Sequence, residues 1–255
     1  MKVELLGTYG GSTNTNFLTS FLIDDYLAVD AGCLTQALSL ERQRKITDVL
    51  VSHTHLDHTL SLPFLADNMF GEKQEPIRIW ASNTVIAALK LHIFNEVTWP
   101  DFSRLPNLDN PTIVFCPLEA EVPVTIGNLI VTPIDVNHVV PTQGFLIECP
   151  ATSSSLLYTA DTTNTDRLWE IANMQENLKA IIADCSFPNA YAELARLSGH
   201  MTPEMLGRDL AKLHKKCPIL VYHLKPMFED LLIEELNALG VPDMHVTLQS
   251  KTFTW

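Results

Sequence analysis

The sequence predicts an α/β protein of four layers, two β-sheets packed face to face between outer helices (αββα), in a single domain covering residues 1–255. Three observations carry that expectation. Apolar strand patterns give way to helical spacing twice along the chain, once in each half. The 255 residues show no composition break and lie at the upper end of what one hydrophobic core serves. Neither GxGxxG nor GxxxxGK[ST] occurs, and Gly7-Thr8-Tyr9-Gly10-Gly11 lacks the lysine of a phosphate loop, so a doubly wound nucleotide fold is set aside and those glycines read as a turn.

Residues 2–6 and 16–23 alternate or run apolar around Gly7, Gly10 and Gly11, and 26–29 follows before the turn at Asp30-Ala31-Gly32, giving an opening β-meander. Residues 48–52 form a short apolar strand that ends on a histidine-rich run, and 82–95 has helical spacing with Ser82 as its N-cap. The segment 99–123 carries Pro100, Pro106, Pro111, Pro117 and Pro123, too many locked φ angles for a continuous helix, and is expected to be a long irregular connection. Beyond it, 122–126 and 129–134 flank Gly127-Asn128 as a hairpin. Residues 144–149, 155–158, 180–183 and 219–222 read as strands; 166–174, 203–215 and 228–239 read as helices, the second with Thr202 before Pro203 at a capped N-terminus.

Thirty acidic side chains against 17 basic ones leave a formal charge of −13, so RNA or another polyanion approaches against the mean field and nucleic acid is disfavoured as a partner. No apolar run approaches the roughly 18 residues of a membrane span, and Met1-Lys2-Val3-Glu4-Leu5 opens a strand rather than a signal-peptide core. A soluble, cytoplasmic protein with no membrane contact is expected. The five cysteines are odd in number and include no CxxC pair, which suits reduced thiols. Cys185, beside Asp184, could serve as a nucleophile or ligand but is read as a buried structural thiol.

Metal sites need neutral imidazoles and carboxylates converging on one point, and His53-Thr54-His55-Leu56-Asp57-His58 supplies four donors in six residues at a strand end. Two-residue spacing points His53 and His55 the same way, while Asp57 and His58 turn toward a neighbouring point as a helix starts. His138, Asp161, Asp184 and His223 each follow an expected strand, where side chains gather at a sheet edge and can complete the shells. His200, before a helix, is either a proton donor or a loop histidine. His92, His214 and His245 fall within expected helix or strand and are read as non-ligands, and Glu229-Asp230 with Glu234-Glu235 as a solvated helix face.

The run from His53 to His58 resembles the signature of the metallo-β-lactamase superfamily. Within it, the chain resembles the class II 3′,5′-cyclic nucleotide phosphodiesterases over most of its length. That narrower likeness is carried by Leu6-Gly7 with Gly10-Gly11 and Asn16, Asp30-Ala31-Gly32, Tyr158-Thr159-Ala160-Asp161-Thr162, Asp184-Cys185-Ser186-Phe187-Pro188-Asn189, Ser198-Gly199-His200-Met201-Thr202-Pro203 and Tyr222-His223-Leu224-Lys225-Pro226. The chain departs from the family pattern at Thr59, Pro63, Phe64, Ala66 and Asp67, which bears on substrate preference more than on metal binding.

The resemblance implies His53, His55 and His138 on one divalent metal, Asp57, His58 and His223 on a second, and Asp161 bridging, with Asp184 and His200 as an acid–histidine pair in which His200 is the proton donor. Zinc suits the imidazole-rich set, with manganese or iron as alternatives. The implied chemistry is hydrolysis of a cyclic nucleotide such as cAMP to the 5′-nucleotide by a hydroxide held between two metals. A transfer-RNA 3′-processing endonuclease shares both the acid–histidine pair and the ligand order, but the chain is acidic and lacks a Gly-rich basic arm. A thioester, lactam or lactone hydrolase, or a non-catalytic metal-binding accessory protein, uses the same fold. Trp99, Phe102 and Phe115 are either base-stacking residues or ordinary rim packing, and helical surfaces could pair two copies into a homodimer.

Overall fold

The computed structural model describes residues 1–72, 74–246 and 249–255. Strands β1 (Lys2–Gly7), β2 (Ser20–Ile23) and β3 (Leu27–Val29) form an antiparallel meander. Short helices α1 (Leu34–Ala37) and α2 (Leu40–Gln43) lead to β4 (Asp48–Leu50), then α3 (Leu56–Thr59) and α4 (Leu62–Met69) lead to β5 (Ile77–Ser82). Helix α5 (Asn83–His92) precedes β6 (Ile113–Leu118), and β3 to β6 pair in parallel.

The second half repeats this scheme. Strands β7 (Val124–Ile126), β8 (Leu129–Val136), β9 (Thr142–Cys149) and β10 (Ser154–Tyr158) are antiparallel neighbours. Helix α6 (Arg167–Met174), β11 (Leu178–Asp184), helices α7 (Ala192–Ser198) and α8 (Pro203–Leu210), β12 (Ile219–Tyr222), α9 (Glu229–Ala238) and β13 (Met244–Val246) then extend the sheet in parallel. Strand β14 (Lys251–Thr254) returns to β1. Among the described residues the two sheets run β14-β1-β2-β3-β4-β5-β6 and β13-β12-β11-β10-β9-β8-β7.

Period-two alternation sorts the apolar side chains into three buried layers, as four layers of secondary structure require. Val3, Phe21, Ile23, Phe145, Tyr158, Ile182 and Tyr222 meet between the sheets. Leu22, Val49, Ile79, Leu65 and Leu89 pack on the helices of the first half, and Leu157, Ile181, Val221, Trp169, Leu206 and Leu232 on those of the second. Because central strands are buried on both faces, they read as continuous apolar runs. Ser82 accepts from the Val85 amide (3.3 Å) and Thr202 from the Met205 amide (3.4 Å), the capping expected of both. Ile126 opposes Leu129 across a two-residue turn whose first member, Gly127, has φ of +59°, a conformation that a side chain there would strain.

Two expectations are corrected. The segment 99–123 is not wholly irregular: β6 lies within it, with Pro117 opposite Ala81. Strand β6 forms the sheet edge, where a residue without an amide hydrogen leaves no inner ladder bond unmade. Helix α8 ends at Leu210 rather than continuing to Lys215, because the Asn173 side chain takes the Lys212 carbonyl (2.8 Å) and the His214 amide (2.7 Å) out of helical pairing. The C-terminal strands β13 and β14 carry few buried side chains, and so lacked an apolar signal. No helix among the described residues is long and apolar enough to cross a membrane.

Candidate metal centre

Strands β4, β10, β11 and β12 deliver their C-terminal ends to one edge of the sandwich, the customary place for ligands in α/β sheets. His53 lies just past β4, and His55 is the N-cap residue of α3, whose first turn carries Asp57 and last turn His58. The β8–β9 connection brings His138, Asp161 follows β10, Asp184 closes β11, and His223 follows β12 with a left-handed φ of +70°. His200 stands between Gly199, which ends α7 in the left-handed region, and α8.

These residues assemble into two overlapping clusters. Donor atoms of His53, His55, His138 and Asp161 lie within 4.8 Å of one another, as do those of Asp57, His58, Asp161 and His223, so Asp161 is common to both. His55 Nδ1 is 3.1 Å from His53 Nε2 and 3.2 Å from His138 Nε2. In the second cluster His223 Nε2 is 3.3 Å from His58 Nε2, 3.1 Å from Asp57 Oδ2 and 3.2 Å from Asp161 Oδ2.

Divalent metal fits this donor set. Metal–nitrogen bonds of about 2.0–2.1 Å at tetrahedral angles hold ligand atoms about 3.3 Å apart, close to the spacings found. Asp161 Oδ2 is buried and makes no well-directed hydrogen bond among the described residues, although His58 Nε2 and His223 Nε2 each stand 3.2 Å away; a cation held between these groups would satisfy it. Burial pushes His53, His55, His138 and His223 below the usual histidine pKa and keeps their lone pairs free. His58 is the exception: burial disfavours its cation, but Asp161 and Asp30 outweigh it and hold the pKa well above the usual value.

In four of the five histidines the ring nitrogen that faces away from the clusters is held by a polar partner, as metal ligation requires. His53 Nδ1 meets Ser52 Oγ (3.0 Å), His58 Nδ1 meets Asp30 Oδ2 (2.7 Å), His138 Nδ1 donates to the Gly199 carbonyl (2.9 Å), and His223 Nδ1 meets Ser186 Oγ (2.8 Å). Tyr222 donates to Asp161 Oδ1 (2.9 Å). Gly10 backs directly onto His223; a Cβ at that position would stand 2.4 Å from His223 Cε1.

A third group, Asp161, Asp184, His200 and His223, also converges. Here Asp184 is already engaged by His200 Nδ1 (2.9 Å), Ser186 Oγ (2.7 Å) and the Thr162 amide (3.2 Å), so it is a hydrogen-bonded pair beside the clusters. The His200 ring lies 4.9 Å from that of His223 and 5.0 Å from that of His138. Burial acts to lower its pKa, but the Asp184 carboxylate prevails and raises it.

All the residues singled out from the sequence for this site therefore meet at one edge. Asp30, Ser186, Tyr158 and Tyr222 lie in segments that carry the family likeness but were given no role of their own, and nothing in sequence spacing ties Asp30 to Tyr158, 128 positions away. Cys185 is fully buried and its thiol pKa is pushed well up by burial, consistent with a structural role. The aromatic residues of 99–123 pack elsewhere. Phe102 is buried in the first core, Trp99 lies edge-on to Phe64 (5.1 Å), and Phe115 faces Phe94 (6.0 Å) and Lys90.

Fold and site together define a metallo-β-lactamase-fold protein with paired histidine–aspartate clusters able to bind metal. Residues 1–217 match the family model of the anti-Pycsar protein Apyc1, and the chain belongs to that family. A Yersinia pestis protein named as a probable 3′,5′-cyclic-nucleotide phosphodiesterase is 27% identical over 94% of this chain and 85% of its own. The fold matches unliganded yeast PDE1 with a TM-score of 0.81 at 20% identity, over 98% of both chains. It also matches the metallo-β-lactamase-fold protein YhfI of Bacillus subtilis with a TM-score of 0.79 at 21% identity, over 99% of both.

Proposed function

We propose that this protein is a two-metal 3′,5′-cyclic-nucleotide phosphodiesterase, acting as one domain in a reducing cytoplasm and opening cAMP or a related ring to the 5′-nucleotide. The Asp184–His200 pair carries this reading: a bond of 2.9 Å orients a buried imidazole against both clusters, next to His138 and His223. Ring opening expels a 3′-alkoxide, a poor leaving group that needs a proton, whereas a thiolate leaves without one. The Y. pestis relative, by its name, adds support.

His53, His55 and His138 would hold one ion and Asp57, His58 and His223 the other, with Asp161 shared. When bound, two divalent ions supply Lewis acidity and an activated water at neutral pH; the imidazole-rich set favours zinc, with manganese or iron as alternatives. The protein's own contribution is orientation and a proton. Asp184 accepts from His200 Nδ1–H, which turns His200 Nε2 toward the site, and its carboxylate favours the imidazolium that serves as acid. His200 gives the Nε2 proton to the departing 3′ oxygen while Asp184 keeps the ring from rotating. Five free cysteines suit the reducing setting.

Metal analysis with a hydrolysis panel tests the proposal: cAMP, cGMP, bis(p-nitrophenyl) phosphate, precursor transfer RNA and a thioester. About two equivalents of metal and release of a 5′-nucleotide are expected. Turnover confined to transfer RNA or the thioester would overturn it.

A further inference from the structure

The hydroxyl of Ser186 stands where the second cluster meets the Asp184–His200 pair. It is fully buried, its backbone amide donates to the Met201 carbonyl (3.0 Å), and three side chains surround its oxygen: Asp184 Oδ1 at 2.7 Å, His223 Nδ1 at 2.8 Å and His200 Nδ1 at 3.2 Å. A hydroxyl has one proton to give. Asp184 receives bonds on both oxygens, with the Thr162 amide (3.2 Å) and His200 Nδ1 (2.9 Å) both on Oδ2, so the carboxylate accepts throughout and the serine proton points to Oδ1.

That direction decides the rest. With its proton committed to Asp184, Ser186 Oγ can only accept, and His223 must carry its proton on Nδ1. His223 Nε2, which faces Asp57, His58 and Asp161, then keeps a free lone pair. Were the serine proton turned to His223 Nδ1, the ring would carry its hydrogen on Nε2, pointing at the donor atoms with which it must share a metal. His200, facing only acceptors at Nδ1, is likewise protonated there and presents Nε2 to the site.

We infer that Ser186 is a positioning residue: a single hydroxyl that sets the tautomer of the metal-facing His223 and the orientation of the Asp184–His200 pair together. The inference rests on the phosphodiesterase reading for the role of His200, but its half at His223 concerns metal binding alone. It also gives a reason for the left-handed backbone of His223, an unusual conformation for a residue with a side chain, which brings that ring within reach of the Ser186 hydroxyl.

Ser186→Ala, His200→Ala and the double variant test it on the metal-loaded protein. In Ser186→Ala, chelator competition should show one of the two metals held about 10- to 100-fold more weakly, as for other residues that orient a ligand, with the other metal unchanged. At saturating metal, kcat on a cyclic nucleotide should fall about tenfold or more with KM unchanged. In the His200→Ala background the kcat loss should shrink below about twofold, while the metal loss persists. Affinity for both metals unchanged from the unaltered protein in Ser186→Ala, or kcat losses that simply multiply in the double variant, overturns the inference. The unaltered zinc-loaded protein gives a check that needs no variant: in 15N-histidine spectra, His223 and His200 should each show an Nδ1 proton protected from solvent exchange. A freely exchanging Nδ1 proton on His223, or none on His200, overturns it too, whatever the substrate proves to be.

Discussion

Tyr158 donates its phenol to Asp30 Oδ2 at 2.7 Å, on the same oxygen that meets His58 Nδ1 at 2.7 Å. Asp30 also accepts from the Ser52 amide and hydroxyl, both at 2.8 Å. One buried carboxylate in a turn after β3 thus ties the second sheet to the residues on either side of the histidine run. Asp30→Ala should cost roughly 3 kcal/mol of stability, because several buried donors lose their acceptor, and should weaken metal binding about 10- to 100-fold. Denaturant melts of the metal-free proteins separate the two effects; unchanged melts and unchanged metal content together would show that Asp30 anchors nothing.

His200→Ala should retain its metals and lose turnover about 100-fold or more, the usual worth of a general acid. Asp184→Asn should fall between it and the parent, since an amide still holds the ring but no longer favours the imidazolium. Metal analysis alongside steady-state kinetics decides: metal lost in step with activity would move both residues into the coordination set.

Metal loading should release protons, because His58 is held above the ordinary histidine pKa and must give up its cation to coordinate. Affinity should therefore rise with pH until the raised pKa is passed and then level off. Titrating zinc into metal-free protein in weakly buffered indicator solution measures the release, and His58→Ala should reduce it near neutral pH.

Away from the site, Asp48 is buried and accepts from Arg78 (2.6 and 2.7 Å), Trp80 Nε1 (2.7 Å) and Thr47 (2.8 Å). Burial acts to raise its pKa, but these donors prevail and it lies below the usual carboxylate value. A carboxyl depressed in the folded state stabilises above its unfolded pKa of about 3.9 and loses that contribution as the pH drops through its lower folded value. Asp48→Asn should be roughly 1–3 kcal/mol less stable at neutral pH, and the gap should narrow on the acid side. Urea melts between pH 7 and pH 2.5 follow it; a gap that widens toward acid reverses the sign and defeats the assignment.

Gly10→Ala should fold and yet bind metal poorly, because its new methyl occupies the space of the His223 ring while the rest of the loop is unaffected. Zinc content of the refolded variant checks this, and full loading would mean that the ring can shift without loss.

The fold and the donor atoms were legible in the sequence for the same reason: both depend on short-range pattern. Four donors in six residues from His53 to His58 announce a metal site, and His138, Asp161, Asp184 and His223 each follow an apolar strand that could be read locally. What supports those donors could not be read this way. Asp30 reaches His58 across 28 positions and Tyr158 across 128, and Ser186 reaches His223 across 37, distances over which only tertiary packing decides who meets whom. Strand β6 was hidden by Pro117 within it and the prolines around it; an edge tolerates a proline that a central strand does not.

His53, His55, Asp57 and His58 come from the first half of the chain, and His138, Asp161 and His223 from the second. Neither half holds a complete set of donors, and His58 and His223 are separated by 165 positions. The complete donor set would therefore form late in assembly, once the sheets have closed on one another, and tight capture of metal would follow that closure. The metal acts as a rivet driven once the plates are aligned, and its grip should show most in slowed unfolding, with little effect on how fast the chain folds.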